Sequence, residues 1–146
     1  MKNNLDILER AKEFFNYLNK DTMESVNDFY DENIVFKDPL VSFTNRKALR
    51  DYYQGLYNNV SSIHFTFENE VVTESECTFS WSMHMVCGLN GGKPMVVDGI
   101  STIRFGGKEG KAIFHRDYYD MGEFVYERIP IVKNIISVIK KKMLEH

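Results

Sequence analysis

The chain has 146 residues and a formal net charge of −3, from 18 basic and 21 acidic side chains. This length predicts a single domain that can bury a hydrophobic core without disulfides or metal ions. Proteins that bind nucleic acid normally carry a basic face and a high isoelectric point, so the acidic balance argues against nucleic acid as a partner. Aromatic residues make up 14% of the chain. They are typical of small-molecule cavities, but they serve equally well as large core side chains.

The two cysteines predict the cellular compartment. Cys77 and Cys87 fall near the two ends of one predicted strand, where about ten residues span roughly 33 Å, too far for a disulfide. Free thiols fit a reducing cytoplasm. The first six residues have no apolar signal region, and no apolar run reaches transmembrane length, so we expect a soluble cytoplasmic protein. Residues 144–146 resemble the remnant of a purification tag, which leaves 1–143 as the domain.

The first 58 residues predict three helices and one short strand. Residues 4–19 place apolar side chains at helical spacing, and Asp21 with Glu24 resembles a capping box that opens a second helix. A strand over 33–38 is then stopped by Pro39. Thr44 is positioned to cap the third helix. The apolar side of this helix consists of Leu49, Tyr52, Tyr53, Leu56 and Tyr57.

Beyond residue 62 the hydrophobic period changes to two, which predicts strands. These strands cover 63–67, 78–87, 95–105 and 111–119, with turns at the glycines of 90–92 and 106–110. Helices followed by an antiparallel meander predict an α+β fold, with the helices packed on one face of the sheet.

The tail from Gly122 to Met143 returns to helical spacing and is interrupted at Pro130. Residues 131–143 combine an apolar face with the basic run 140–142, a combination that is typical of helices lying on a membrane surface. A helix that covers a pocket mouth or a subunit interface has the same pattern, with lysines at the favourable end of its dipole. We favour the second interpretation and keep membrane contact as the alternative.

The last predicted strand carries an unusual set of polar side chains. Alternation places His115, Asp117 and Tyr119 on one face of this strand. A histidine next to a carboxylate is a workable general base, but Asp117 could instead pair with Arg116 of a neighbouring subunit or support a loop. His115 and Asp117 could also hold a metal ion, but this spacing is not specific, and we expect neither a metal nor a cofactor.

The order of elements and two segments resemble the nuclear transport factor two-like superfamily, and the resemblance covers nearly the whole chain. Residues 30–40 resemble the segment that carries the catalytic base of ketosteroid isomerases. Residues 115–120 resemble the Trp-Arg-Asp-Tyr-Phe-Asp segment of limonene epoxide hydrolases and SnoaL-like proteins. The resemblance implies a cone-shaped fold, in which N-terminal helices pack on a curved, mainly antiparallel sheet and enclose a pocket, plus a C-terminal amphipathic helix.

Carried over by position, the resemblance implies a set of site residues. The isomerase base falls on Asp38, a carboxylate that could abstract a proton next to a carbonyl, while the isomerase oxyanion-hole donors fall on Phe14 and Ser101. The second carboxylate of the epoxide hydrolases falls on Asp117, whereas their four other site positions hold different residues here. These four positions are Phe36, Asp38, Ser82 and His84. The implied pocket lining is Phe14, Tyr17, Phe36, Tyr53, Ser82, Ser101, His115 and Tyr119.

The strand over 78–87 gives two conflicting predictions. Its apolar face contains Trp81 and its polar face contains Ser82 and His84, so periodicity alone buries Trp81 and leaves His84 in solvent. The resemblance implies the reverse, with His84 in the cavity and the face of Trp81 on the outside, where related proteins dimerise. Both predictions hold if a partner subunit covers that outer face, so the position of His84 and a homodimer are linked expectations.

We therefore expect a SnoaL-like homodimer with a hydrophobic pocket for a small apolar or cyclic molecule. An enzyme of this kind would be a cofactor-independent isomerase, cyclase or hydrolase, with Asp38 as the general base, assisted by His84 and Asp117. The alternative is a small-molecule-binding or protein-interaction module without turnover, which the same fold also supports.

Overall fold

The computed structural model describes residues 4–88, 91–124 and 130–145. Its helices are α1 (Asn4–Tyr17), α2 (Glu24–Phe29), α3 (Arg46–Tyr57), α4 (Met121–Phe124) and α5 (Pro130–Leu144). Its strands are β1 (Tyr30–Lys37), β2 (Ser42–Phe43), β3 (Val60–Val72), β4 (Glu76–Cys87), β5 (Pro94–Phe105) and β6 (Ala112–Tyr119). The predicted α+β fold, with N-terminal helices on a mainly antiparallel sheet, is confirmed.

The helices near the N-terminus bury one face each, as their spacing predicts. In α1, apolar residues at helical intervals pack against the sheet, and the buried members include Leu8, Ala11 and Phe15. The predicted caps of the next two helices are wrong. Met23 precedes α2 without a side-chain cap, and Asn45, rather than Thr44, caps α3 by accepting a hydrogen bond from the Ala48 amide at 2.8 Å.

The sheet has the strand order β2-β1-β6-β5-β4-β3. Strands β3 to β6 form the predicted antiparallel meander, while β1 lies parallel to β6. This parallel pairing sets Phe36 beside His115 and so brings the end of β1, with Asp38 just beyond it, next to the polar residues of β6. The fold thereby gathers the candidate residues of two distant segments at one end of the sheet.

The two faces of β4 follow its sequence alternation. Phe79, Trp81 and Met83 are buried on the inner face, beneath the helices, whereas Ser82 and His84 are half-buried on the outer face. Strong alternation of apolar and polar residues therefore identified the inner face correctly. Cys77 and Cys87, also on the inner face, are buried free thiols, as the strand length predicts.

The C-terminal helix α5 begins at Pro130, a favoured first position because proline lacks the amide hydrogen that this position leaves unpaired. The predicted interruption at Pro130 coincides with the start of this helix, and residues 125–129 lie outside the described residues. Along α5, Ile135, Val138 and Ile139 are exposed. Across the described part of the chain, every helix falls short of the length and apolar character that crossing a bilayer requires.

Candidate functional site

A cavity of about 430 Å³ lies between α1, α3 and the inner face of the sheet. This volume is in the range of small-molecule binding sites. Its wall is mostly apolar and aromatic: Phe14, Phe15, Leu18, Tyr52, Tyr53, Leu56, Tyr57, Val60, Ile63, Phe65, Trp81, Met83, Met85, Cys87 and Tyr119. Two carboxylates, those of Asp38 and Asp117, and the imidazole of His115 also line it.

Asp38 is held by hydrogen bonds to both of its carboxylate oxygens. Its Oδ1 accepts from the backbone amides of Leu40 at 2.8 Å and Val41 at 2.9 Å, which fixes the turn after β1. Its Oδ2 accepts a short 2.6 Å hydrogen bond from the Tyr52 hydroxyl and a long one, 3.4 Å, from Tyr119. Asp38 therefore combines a structural role in the turn with the positioning of two phenols at the cavity wall.

Tyr52 and Tyr119 are neutral phenols near neutral pH, as tyrosines ordinarily are, and their surroundings disfavour the phenolate further. Burial and the hydrogen bond to Asp38 raise the pKa of Tyr52 far above its ordinary value. Burial, together with the charges of Asp38 and Asp117, raises the pKa of Tyr119. Both groups are thus hydrogen-bond donors at this end of the cavity.

A second polar network runs from α3 through the core to β4. The Tyr53 and Tyr30 hydroxyls lie 3.0 Å apart, and the Tyr30 hydroxyl lies 2.7 Å from Nδ1 of His115. His115 Nε2 lies 2.6 Å from Oδ1 of Asp117. The same carboxylate oxygen accepts from the Ser101 hydroxyl at 2.5 Å. The Trp81 indole completes the chain by donating to Ser101 Oγ at 2.8 Å.

The geometry assigns the protons in this network once Asp117 is taken as a carboxylate. A carboxylate only accepts, so His115 carries a hydrogen on Nε2, and in its neutral form Nδ1 accepts from Tyr30. Tyr30 then accepts from Tyr53, and Ser101 donates to Asp117 while accepting from Trp81. The hydrogen bonds therefore converge from both sides on one oxygen, Oδ1 of Asp117.

The other oxygen of Asp117 is the feature that distinguishes the two carboxylates. Within the described residues, Oδ2 of Asp117 has no hydrogen-bond partner, although the side chain is only 15% exposed and lines the cavity. A carboxylate fixed through one oxygen, with the other available, is suited to accept a proton from a bound molecule. Asp117 has this arrangement, whereas both oxygens of Asp38 already accept hydrogen bonds.

The central hydrogen bonds of this network predict a stability effect. Replacing Tyr30 with Phe leaves the buried Nδ1 of His115 without its donor and Tyr53 without its acceptor, so we expect a loss of about 1–3 kcal/mol in the free energy of unfolding. Urea denaturation measures this loss. Tyr118→Phe, on the exposed outer face, is the matched control and should change stability by no more than about 0.5 kcal/mol. Equal effects of the two substitutions would contradict the network.

The structure brings together most of the predicted site residues. Asp38, Asp117, His115, Tyr119, Phe14 and Tyr53 line the cavity. Ser101 and Phe36 are buried immediately behind its wall, where Ser101 bonds Asp117 and the Phe36 ring lies 5.0 Å from that of His115. Tyr17, in contrast, is 59% exposed at the end of α1 and is absent from the cavity lining, so its predicted place was wrong.

The predicted places of Ser82 and His84 in the cavity were also wrong. Both are on the outer face of β4, where the Ser82 hydroxyl donates to Asp98 at 2.6 Å and the His84 ring stacks on His64 at 4.5 Å. The physical reason is the alternation of β4, which turns the large apolar side chains of Trp81 and Met83 toward the core. The expectation that linked His84 to a covered outer face therefore loses its basis.

Three contributors to the site were not predicted as such. Trp81 was assigned to the apolar face but not to the cavity, and the periodicity of β4 was the signal that identified it. Tyr52 appeared only as an apolar helix residue, although its spacing of three residues from Leu49 and four from Leu56 puts it on the face that they share on α3. Tyr30 has no local signal, because its partner His115 is 85 residues away.

The described residues contain no group of three or more His, Cys, Asp or Glu side chains arranged to hold a metal ion.

Comparison with known proteins places this geometry in a family. Residues 11–115 match the family model of the SnoaL-like domain. No curated protein sequence matches the chain. Among solved structures, AclR, a candidate hydroxylase from Streptomyces galilaeus, aligns with a TM-score of 0.71 and 10% identity over 99% of this chain and 100% of that chain.

Two further solved structures have the same fold. A candidate SnoaL-like polyketide cyclase from Shewanella denitrificans aligns with a TM-score of 0.69 and 16% identity over 81% of this chain and 93% of that one. A candidate isomerase from Bacillus subtilis aligns with a TM-score of 0.65 and 21% identity over 84% and 96% of the two chains. Identities this low show a shared fold and not a shared reaction. The family match covers most of the sequence, and the chain therefore belongs to the SnoaL-like domain family of the nuclear transport factor two-like superfamily.

Proposed function

We propose that this protein is a cofactor-independent enzyme that binds a small apolar or cyclic molecule in the cavity and catalyses a proton-transfer reaction. Isomerisation, cyclisation and hydrolysis are reactions of this kind. The observation that carries the proposal is Asp117, a carboxylate in an apolar cavity that is oriented through one oxygen and has the other available. The candidate isomerase and cyclase among the structural neighbours are consistent with this reaction class.

In the proposed reaction, Oδ2 of Asp117 accepts a proton from a carbon next to a carbonyl group of the ligand. The hydrogen bonds from His115 and Ser101 hold the other oxygen and keep the carboxylate in place. The Tyr119 hydroxyl lies at the same end of the cavity, 3.4 Å from Asp38, and can donate a hydrogen bond to a developing oxyanion. Return of the proton to a different atom completes an isomerisation.

Asp38 is the alternative base, as its position in the sequence suggests. Its Oδ2 accepts one short hydrogen bond, from Tyr52, and can accept another. We assign it the lesser role because its oxygens already accept the Leu40 and Val41 amides and the Tyr52 hydroxyl. Separate Asn substitutions at Asp38 and Asp117 distinguish the two assignments.

A binding module without turnover is the second candidate function. The observation in its favour is that most polar groups at the cavity are already paired with one another, as they are in a structural network. Such a protein would retain a ligand whose structure it does not change. Turnover measurements separate this function from the first.

Native mass spectrometry of freshly purified protein, followed by extraction and identification of any retained compound, is the experiment that tests the proposal. A retained apolar or cyclic compound that the protein converts to a product, with conversion lost in Asp117→Asn, would support the enzyme. Binding without conversion would support the module. If the cavity neither retains an apolar compound nor binds one that is added, both the enzyme and the binding module would be contradicted.

The homodimer is a further proposal, placed on the outer face of the sheet. Ile100 and Tyr118 are paired neighbours there, and both are exposed, as is Val96. A second copy would cover these side chains, so Ile100→Lys should shift a dimer to a monomer, as measured by analytical ultracentrifugation. Leu40→Lys, at an exposed site outside the sheet, is the control and should leave the dimer intact. A monomeric wild-type protein would contradict the proposal.

We also propose a cytoplasmic location, because both cysteines are free. Burial raises the pKa of Cys77 to about 12, which keeps this thiol protonated and slow to oxidise.

A further inference from the structure

The fixed charges that line the cavity have one sign. Asp38 and Asp117 are both in the wall, and within the described part of the chain the lining contains neither lysine nor arginine. Among the described residues, no ion pair joins a lysine or an arginine to Asp38 or Asp117. Their partners are amides, hydroxyls and the His115 ring. A negative field therefore acts on whatever occupies this end of the cavity.

Both carboxylates act on the same end. The Tyr119 hydroxyl lies 3.4 Å from Asp38, and the charges of Asp38 and Asp117 both contribute to its raised pKa. The ring of Tyr119 lies 6.3 Å from that of Trp81, whose indole is tied to Asp117 through Ser101. Two negative charges and two aromatic rings thus share one region of the cavity wall.

This combination favours a positive ligand group. A cation is attracted to aromatic faces as well as to carboxylates, and both attractions increase when water is excluded. An anion would have to approach two carboxylates with neither a lysine nor an arginine in the lining to compensate their charge, which costs affinity. Carboxylates, phosphates and sulfates are therefore excluded from this end by charge, while the apolar remainder of the wall suits a hydrocarbon ring system.

We propose that the cavity binds a small cyclic amine as its ammonium ion, with the charged group at the Asp38 and Asp117 end and the rings against the apolar wall. This inference rests on the part of the proposed function that makes the cavity the ligand site, and it does not depend on turnover.

The test uses three rigid probes of nearly equal shape: adamantylamine, adamantanol and adamantanecarboxylate, which are cationic, neutral and anionic at pH 7. Trp81 is the single tryptophan of the chain and lines the cavity, so its emission reports occupancy of this site. We expect the amine to bind at least about tenfold more tightly than the carboxylate, with the alcohol between them; a tenfold ratio corresponds to about 1.4 kcal/mol.

Matched variants assign the preference to its source. Asp38→Asn and Asp117→Asn should each reduce the ratio of amine to carboxylate affinity by about threefold or more, with little change for the alcohol. Asp98→Asn removes an exposed carboxylate on the outer face and should leave all three affinities unchanged.

The inference is overturned if the carboxylate binds as tightly as the amine, if the preference survives in both cavity variants, or if none of the probes alters Trp81 emission. Failure of the proposed enzyme function has a different signature. In that case the amine preference is observed in full, while no retained or added compound is converted to product.

Discussion

Replacing Asp117 with Asn is expected to reduce turnover by a factor of about a hundred to ten thousand on any substrate that the cavity converts. The side chains have nearly the same shape, and an Asn amide oxygen can still accept the hydrogen bonds from Ser101 and His115. The substituted group cannot accept a proton from the ligand, because its second position is an amide nitrogen. The loss should therefore appear in kcat, with a smaller change in KM for a neutral substrate.

Two control variants make this prediction specific. Asp98→Asn removes a carboxylate of the outer face and should leave kcat unchanged. Asp38→Asn should weaken the positioning of Tyr52 and Tyr119, with a loss of about tenfold or less if Asp117 is the base. Stopped-flow or steady-state assays with the compound identified by mass spectrometry measure these rates. A large loss in Asp38→Asn together with full activity in Asp117→Asn would reverse the assignment of the base.

The elements that the sequence predicted correctly are those determined by local periodicity. Alternation along β4 identified its inner face, and the helical spacing of α1 and α3 identified theirs, because burying a regular apolar stripe dominates the free energy of such elements. The resemblance to known families gave the correct fold but the wrong face for His84, since aligning side chains between remote relatives can shift a strand by one residue. A shift of one residue moves every side chain of a strand to the other face.

The remainder of the site depends on contacts between distant segments. Tyr30 bonds His115 because β1 lies parallel to β6, and nothing in either segment specifies that pairing. The difference between Asp38 and Asp117 likewise depends on the neighbours that supply each oxygen with donors. Residue type and spacing could nominate both carboxylates, but only the three-dimensional arrangement shows which oxygen has no partner among the described residues.

The support of Asp117 extends through Trp81 to Gly99, which leads to a second prediction of large effect. Trp81 and Gly99 are directly paired across β4 and β5, and the indole occupies the space that a side chain on Gly99 would need. A Cβ atom there would overlap the Trp81 ring and approach the backbone oxygen of Tyr118 to 2.8 Å. Gly99→Ala should therefore displace the indole, break its hydrogen bond to Ser101 and destabilise the fold by about 1–3 kcal/mol.

Gly55→Ala is the matched control, because outside its chain neighbours and the backbone of its own helix no atom lies within 4 Å of a Cβ at that position of α3, and alanine is the better helix former. It should preserve or slightly increase stability, whereas Gly99→Ala should lower the urea midpoint and shift Trp81 emission to longer wavelength. Displacement of the Trp81 indole also removes its hydrogen bond to Ser101, which in turn holds Asp117. Gly99→Ala should therefore reduce kcat in the enzyme as well. Unchanged Trp81 emission and unchanged stability in Gly99→Ala would mean that Trp81 does not pack across Gly99. The proposed support of Asp117 by Trp81 through Ser101 would then not depend on Gly99.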